Sequence, residues 1–87
     1  MWKIDFTEKA KRNFKKLDFA IQKRILLYLD NIRLKNPKDF GAGLVGDKRG
    51  LWRYRVGDYR IIAEIKQKEI IVLIVDIGHR REVYDKQ

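Results

Sequence analysis

The sequence predicts an α+β domain in which a helical hairpin packs on one face of a largely antiparallel four-stranded sheet, in the order β-α-α-β-β-β. Three observations carry this expectation. The apolar residues recur at helical spacing before Pro37 and at strand spacing after Gly50. The two halves are separated by a glycine-rich stretch. The chain has 87 residues, which is room for a single domain spanning residues 1–87.

The elements follow in order. Trp2, Ile4 and Phe6 alternate with Lys3 and Asp5, the period of a short strand. Thr7 is placed to cap a helix whose first turn carries Glu8, where the helix dipole favours an acid. Ala10, Phe14 and Leu17 recur at helical spacing, which predicts a first helix near residues 8–17. Asp18 is a candidate cap for a second helix, along which Ile21, Ile25, Tyr28, Leu29 and Ile32 form an apolar stripe. Asn36-Pro37 ends it, because the residue before proline is pushed out of the helical region. With almost no linker between them, the two helices form a hairpin.

Residues 37–50 hold four of the six glycines and read as a long loop pinned by Leu44. The loop lacks the Gly-Lys-Ser/Thr of a phosphate-binding P-loop. Leu51 to Val56 alternates, Gly57-Asp58 is a tight hairpin turn, and Tyr59 to Lys66 returns. Ile70 to Ile77 is nearly all aliphatic, the composition of a central strand covered on both faces, with Gly78 ending it.

Composition excludes several chemistries. There is no Cys and one His, so disulfides, thiolate catalysis and cysteine- or histidine-based metal sites are ruled out. The charged start, Met-Trp-Lys-Ile-Asp-Phe, is unlike a signal peptide, and no apolar run approaches the ~20 residues of a membrane span. The expectation is a soluble cytoplasmic domain without a membrane partner. The net charge is +9, which suits a polyanion such as nucleic acid or an acidic protein segment.

That charge differs in kind along the chain. Residues 1–43 hold 11 Lys/Arg, mostly Lys, against 5 acids; residues 44–87 hold 10, of which six are Arg, against 7 acids. Lysine spread over helices is ordinarily a solvated face. Arginine on strands calls for a reason, because its planar fork matches phosphate. With Gly57 and Asp58 as the turn, Arg55 faces Arg60 and Arg53 faces Ile62, so Arg53, Arg55 and Arg60 share one face of the sheet. Like charges placed opposite each other destabilise a sheet, and the cluster calls for a compensating anion. The structural alternative is a solvated face partly paired to Glu64; the functional one is a phosphate site built on bidentate hydrogen bonds. A second segment, Gly78-His79-Arg80-Arg81-Glu82-Val83-Tyr84, adds His79, Arg80 and Tyr84 as candidates. For Tyr84 the structural alternative is a hydrophobic plug at the sheet edge.

The motif Arg-Val-Gly-Asp-Tyr-Arg at residues 55–60, preceded by Gly50-Leu51-Trp52-Arg53 and joined to Gly78-His79-Arg80-Arg81-Glu82-Val83-Tyr84, resembles the RelE family of toxin–antitoxin ribonucleases, within the RelE/ParE superfamily. The resemblance covers essentially the whole chain. It implies the toxin of a type II system, an mRNA endonuclease that acts in the ribosomal A site without cofactor or metal. In that reaction the 2′-hydroxyl attacks the adjacent phosphate, leaving a 2′,3′-cyclic phosphate and a 5′-hydroxyl. The family's basic strand residues match Arg53 and Arg55, its hairpin arginine Arg60, its basic residue after the last strand Arg80, and its C-terminal tyrosine Tyr84. The resemblance also implies the ribosome and an acidic RelB-like antitoxin as partners, with the toxin monomeric or held in a hetero-oligomer.

This sequence departs from the family in carrying Arg at 53 and 55, where well-studied members carry Lys, one of them suspected as the base. An arginine does not readily give up its proton. A tyrosine begins near 10, roughly, and neighbouring arginines would lower it by favouring phenolate. The expected roles are therefore Arg55, Arg60 and Arg80 as stabilisers of phosphate charge, Tyr84 as base or stacking platform, and His79 or Arg80 at the leaving 5′-oxygen. Two other functions fit the same features: a ParE-like, non-enzymatic inhibitor of DNA gyrase, and an RNA-binding domain attached to ribosomes.

Overall fold

Thr7 starts the first helix as expected. In a computed structural model that describes residues 1–79, its hydroxyl accepts a hydrogen bond from the Ala10 amide at 3.1 Å. The chain runs through strand β1 (Lys3–Phe6), helix α1 (Glu8–Lys15), helix α2 (Phe19–Arg33), and strands β2 (Ala42–Gly43), β3 (Trp52–Val56), β4 (Tyr59–Lys66) and β5 (Ile71–His79). Short 3-10 turns at Pro37–Asp39 and Gly46–Lys48 interrupt the long loop. Helix α1 ends earlier than the expected 8–17, while α2 covers its whole apolar stripe. Asp18 occupies the cap position of α2, but its side chain makes no capping hydrogen bond.

The sheet has five strands, in the order β1-β5-β4-β3-β2, one more than expected. The additional strand is β2, two residues within the glycine-rich loop, paired through Ala42↔Arg53 and Gly43↔Trp52. A two-residue segment containing glycine carries no alternation to read. Three of the four pairings are antiparallel, and β1 pairs with β5 in parallel.

The α2 stripe does what its spacing requires. Ile25, Leu29 and Ile32 are buried against Tyr54, Ile61, Ala63, Val72, Ile74 and Ile77 of the sheet, with Ala10 of α1 completing the cluster. Each large aliphatic side chain removed from water contributes ~1.5–3 kcal/mol, so this single layer carries most of the stability. Two expectations for the last strand need correction. β5 lies between β1 and β4, and β4 is the central strand. Along β5 the core side is buried, whereas Leu73 and Val75 on the far side are only half-buried. Gly78 does not end the strand either; pairing continues through Arg60↔Gly78 to Tyr59↔His79.

A register shift opposite Ile62 and Ala63 inserts Val75 as an extra residue in β5. Just beyond it, Asp76 turns toward α1. Its Oδ1 accepts from Asn13 Nδ2 and from the Ile77 amide, both at 2.9 Å, and its Oδ2 lies 3.4 Å from Lys9 Nζ. The bulge therefore fastens the N-terminal helix to the end of β5.

Candidate functional site

The hairpin register is the one the turn residues predict: Val56↔Tyr59, Arg55↔Arg60 and Arg53↔Ile62. Alternation then sends Tyr54 and Val56 into the core and Arg53, Arg55 and Arg60 to the opposite face. The three arginines differ in setting. Arg55 is exposed, Arg53 half-buried, and Arg60 only 5% exposed. A guanidinium so deeply placed must have its hydrogen bonds supplied by the protein, since burying an unsatisfied charge is costly. One of them runs from Arg60 Nη1 to the Tyr59 carbonyl at 3.4 Å, and no buried side-chain nitrogen or oxygen among the described residues lacks a partner. Arg60 is thus a cation fixed in place before any ligand arrives.

Glu64, the nearest acid of the same strand face, is exposed and sits opposite Leu73, well along β4. The ion pairs among the described residues engage Asp5, Asp76, Glu8 and Asp30. Ile62, the rung partner of Arg53, floors a hollow of about 200 Å³ lined also by Leu44, Leu51, Lys48, Lys9, Val75 and Asp76. The glycine-rich loop, held by the Leu44 amide donating to the Leu51 carbonyl at 2.9 Å, is one wall of this hollow, and the start of α1 is the other.

Of the six candidates read from the sequence, the structure brings Arg53, Arg55 and Arg60 together. Arg80 and Tyr84 lie outside the described residues. His79 ends β5. Because β5 continues through Gly78, His79 pairs with Tyr59 and so faces away from Arg60; its ring meets Tyr59 edge to face at 5.6 Å. Lys9 and Asn13 were passed over, although 9, 13 and 16 recur at helical spacing and so share one face of α1.

Residues 4–84 match the family described as the ParE toxin of type II toxin–antitoxin systems, parDE. Among solved structures, the toxin–antitoxin complex RelBE2 from Mycobacterium tuberculosis matches with a TM-score of 0.84 and 25% identity, over 91% of each chain. The isolated E. coli RelE toxin matches with a TM-score of 0.77 and 17% identity, over 99% of this chain and 94% of that one. The RelE–RelB complex from Pyrococcus horikoshii matches at 0.70 and 23%, over 91% and 94%. A search of curated proteins finds no match.

Proposed function

This chain belongs to the ParE toxin family of type II toxin–antitoxin systems, within the RelE/ParE superfamily, and from that premise we propose that it is an endoribonuclease that cleaves mRNA in the ribosomal A site. The observation that carries the reading is the arginine face: Arg55 directly opposite Arg60, with Arg53 on the same side of the hairpin. A phosphodiester is an anion whose oxygens match the guanidinium fork, and three such forks on one face suit it.

The chemistry follows from what these groups can and cannot do. Attack of a 2′-hydroxyl on its neighbouring phosphate builds negative charge on the phosphate oxygens. Fixed donors aimed at those oxygens lower the barrier most, because they need no reorganisation as the charge develops. Arg60, already held by its own hairpin, suits that role. Arg55 and Arg53 add charge and orientation at the open side. None of the three serves as a base. That task falls to Tyr84, with Arg80 stabilising the leaving 5′-oxygen, as the family motif implies for these positions. The products are a 2′,3′-cyclic phosphate and a 5′-hydroxyl.

An antitoxin is the natural second partner. The solved relatives include RelE bound to RelB, and a chain of net charge +9 attracts an acidic segment that covers the arginines and folds upon them.

The rival reading, inhibition of DNA gyrase, is favoured by the ParE description of the matched family. Primer extension on a translated reporter separates the two. Breaks at codon-defined positions that disappear with Arg60→Ala are expected; intact message accompanied by gyrase-linked DNA breaks would refute the nuclease. Cleavage is expected to persist undiminished in chelator. In single-turnover reactions on ribosomes, a Tyr84→Phe rate within about threefold of wild type would remove the base assignment.

A further inference from the structure

A cavity of about 420 Å³ opens where the helical hairpin turns over the ends of β4 and β5. No role in the proposed reaction has been given to it. Along one wall Lys9, Asn13 and Lys16 form the helical stripe noted above; the other wall carries Tyr59 and His79, with Asp18 at the turn. The two rings stand at 84° to one another, so one offers its face where the other offers its edge. Such a corner, with ammonium groups across from it, holds a flat aromatic group tied to an anion.

The position is as telling as the chemistry. Tyr59↔His79 and Arg60↔Gly78 are consecutive rungs of the same ladder. Gly78, the rung partner of Arg60, also lines the cavity. The arginine face and the cavity therefore meet at the end of one strand pair, on its two sides.

We propose that this cavity is a nucleotide subsite, which takes the nucleotide adjoining the linkage held by Arg53, Arg55 and Arg60. The base stacks in the Tyr59–His79 corner. Lys16 holds the adjoining phosphate, while Asn13 and Asp18 face the base edge with a donor and acceptor. Lys9 is already engaged by Asp76, which leaves Lys16 as the cation that answers to the phosphate. An acidic peptide fits less well, since it has no planar group for the Tyr59–His79 corner.

The inference rests on the RNA-cleaving reading, and the test separates the two. The probe is a 5′-phosphorylated trinucleotide of 2′-O-methyladenosine, which lacks the attacking hydroxyl and stays intact. It is titrated into the isolated full-length chain while backbone amide resonances are followed. Shifts are expected at Asn13, Lys16, Tyr59 and His79 together with Arg53, Arg55 and Arg60. Lys16 is exposed at the end of α1, so Lys16→Gln leaves the fold intact. That variant is expected to bind at least threefold more weakly, with a log–log salt slope smaller by about 0.7, the loss of one phosphate contact to a single strand. Shifts confined to the arginine face, with Lys16→Gln unchanged, would overturn the subsite and leave the nuclease standing. No shift on either face would overturn the subsite, and the nuclease then stands or falls on the primer-extension result.

Discussion

Arg55 and Arg60 are partners across one rung of the sheet, yet they sit in different surroundings, and that difference makes them separable by experiment. Arg55 is exposed, and substitutions at such positions ordinarily change stability by no more than about 0.5 kcal/mol. Removing it also relieves a like-charge pair. Arg55→Ala is therefore expected to keep or slightly raise the thermal midpoint while slowing single-turnover cleavage at least tenfold. Arg60 is buried and hydrogen-bonded to its own hairpin, so Arg60→Ala removes both a structural contact and the proposed donor to the phosphate. Loss of one such donor costs about 10²–10³ in rate. Here the midpoint is expected to fall as well, and Arg60→Lys recovers stability better than rate, because an ammonium lacks the planar fork. Equal losses of stability in Arg55→Ala and Arg60→Ala would contradict this division. The shared face of these arginines was legible because a two-residue turn leaves one register, and the register fixes which side chains align. The side taken by His79 was not. Glycine after an aliphatic run looks like a stop, whereas Gly78 is held in the ladder by the backbone of Arg60.

The long loop shows how much an element can hide from its sequence. Pro37–Gly50 reads as irregular chain, yet it is tied down by aromatic side chains of β3. The Tyr54 hydroxyl donates to the Pro37 carbonyl at 2.8 Å, and Trp52 Nε1 donates to the Phe40 carbonyl at 2.6 Å. Tyr28 of α2 stacks edgewise on both Tyr54 and Phe40. Gly41 lets the loop close upon the sheet. Its φ is +67°, and a Cβ there would lie 2.2 Å from the Arg53 carbonyl oxygen, a backbone atom that cannot give way. Left-handed strain of about 1–3 kcal/mol adds to that clash, so Gly41→Ala is expected to cost at least 2 kcal/mol, roughly, in urea unfolding and to loosen the strand bearing Arg53. Burial pushes the Tyr54 phenol well above its ordinary value, and Tyr28 beside it adds to the shift. The sign is that of an acid held neutral by folding. This contribution is whole below about pH 10, where the unfolded chain's tyrosines begin to ionise, and drains away as pH rises beyond it. Urea midpoints measured from about pH 9 to 11 should thus fall, and fall less steeply in Tyr54→Phe. That variant starts lower by about 1–3 kcal/mol, because the Pro37 carbonyl loses its buried donor. The two helices and three long strands could be read from periodicity alone; β2 could not, since it exists only through its fit against Arg53 and Trp52.

At the scale of the molecule, the helical hairpin carries more lysines than arginines, whereas the opposite face of the sheet presents Arg53, Arg55 and Arg60. No helix is long and apolar enough among the described residues to cross a membrane, and a net charge of +9 sets the long-range field that any partner meets first. Exposed lysines such as Lys11, Lys15 and Lys23 lie away from the arginine face, on α1 and α2. Distant surface charges of this kind steer an encounter and change little once contact is made, whereas charges at the contact govern release. The proposed acidic antitoxin provides the measurement. Association followed by stopped flow is expected to slow by an order of magnitude or more between about 0.05 and 0.5 M salt, as the screening length shortens from well above 10 Å to a few Å. A Lys11→Gln/Lys15→Gln/Lys23→Gln triple variant should lose association rate and keep its dissociation rate, while Arg55→Ala should do the reverse. If the triple variant instead released antitoxin faster, the hairpin lysines would belong to the bound interface, and the antitoxin would have to wrap both faces of the sheet.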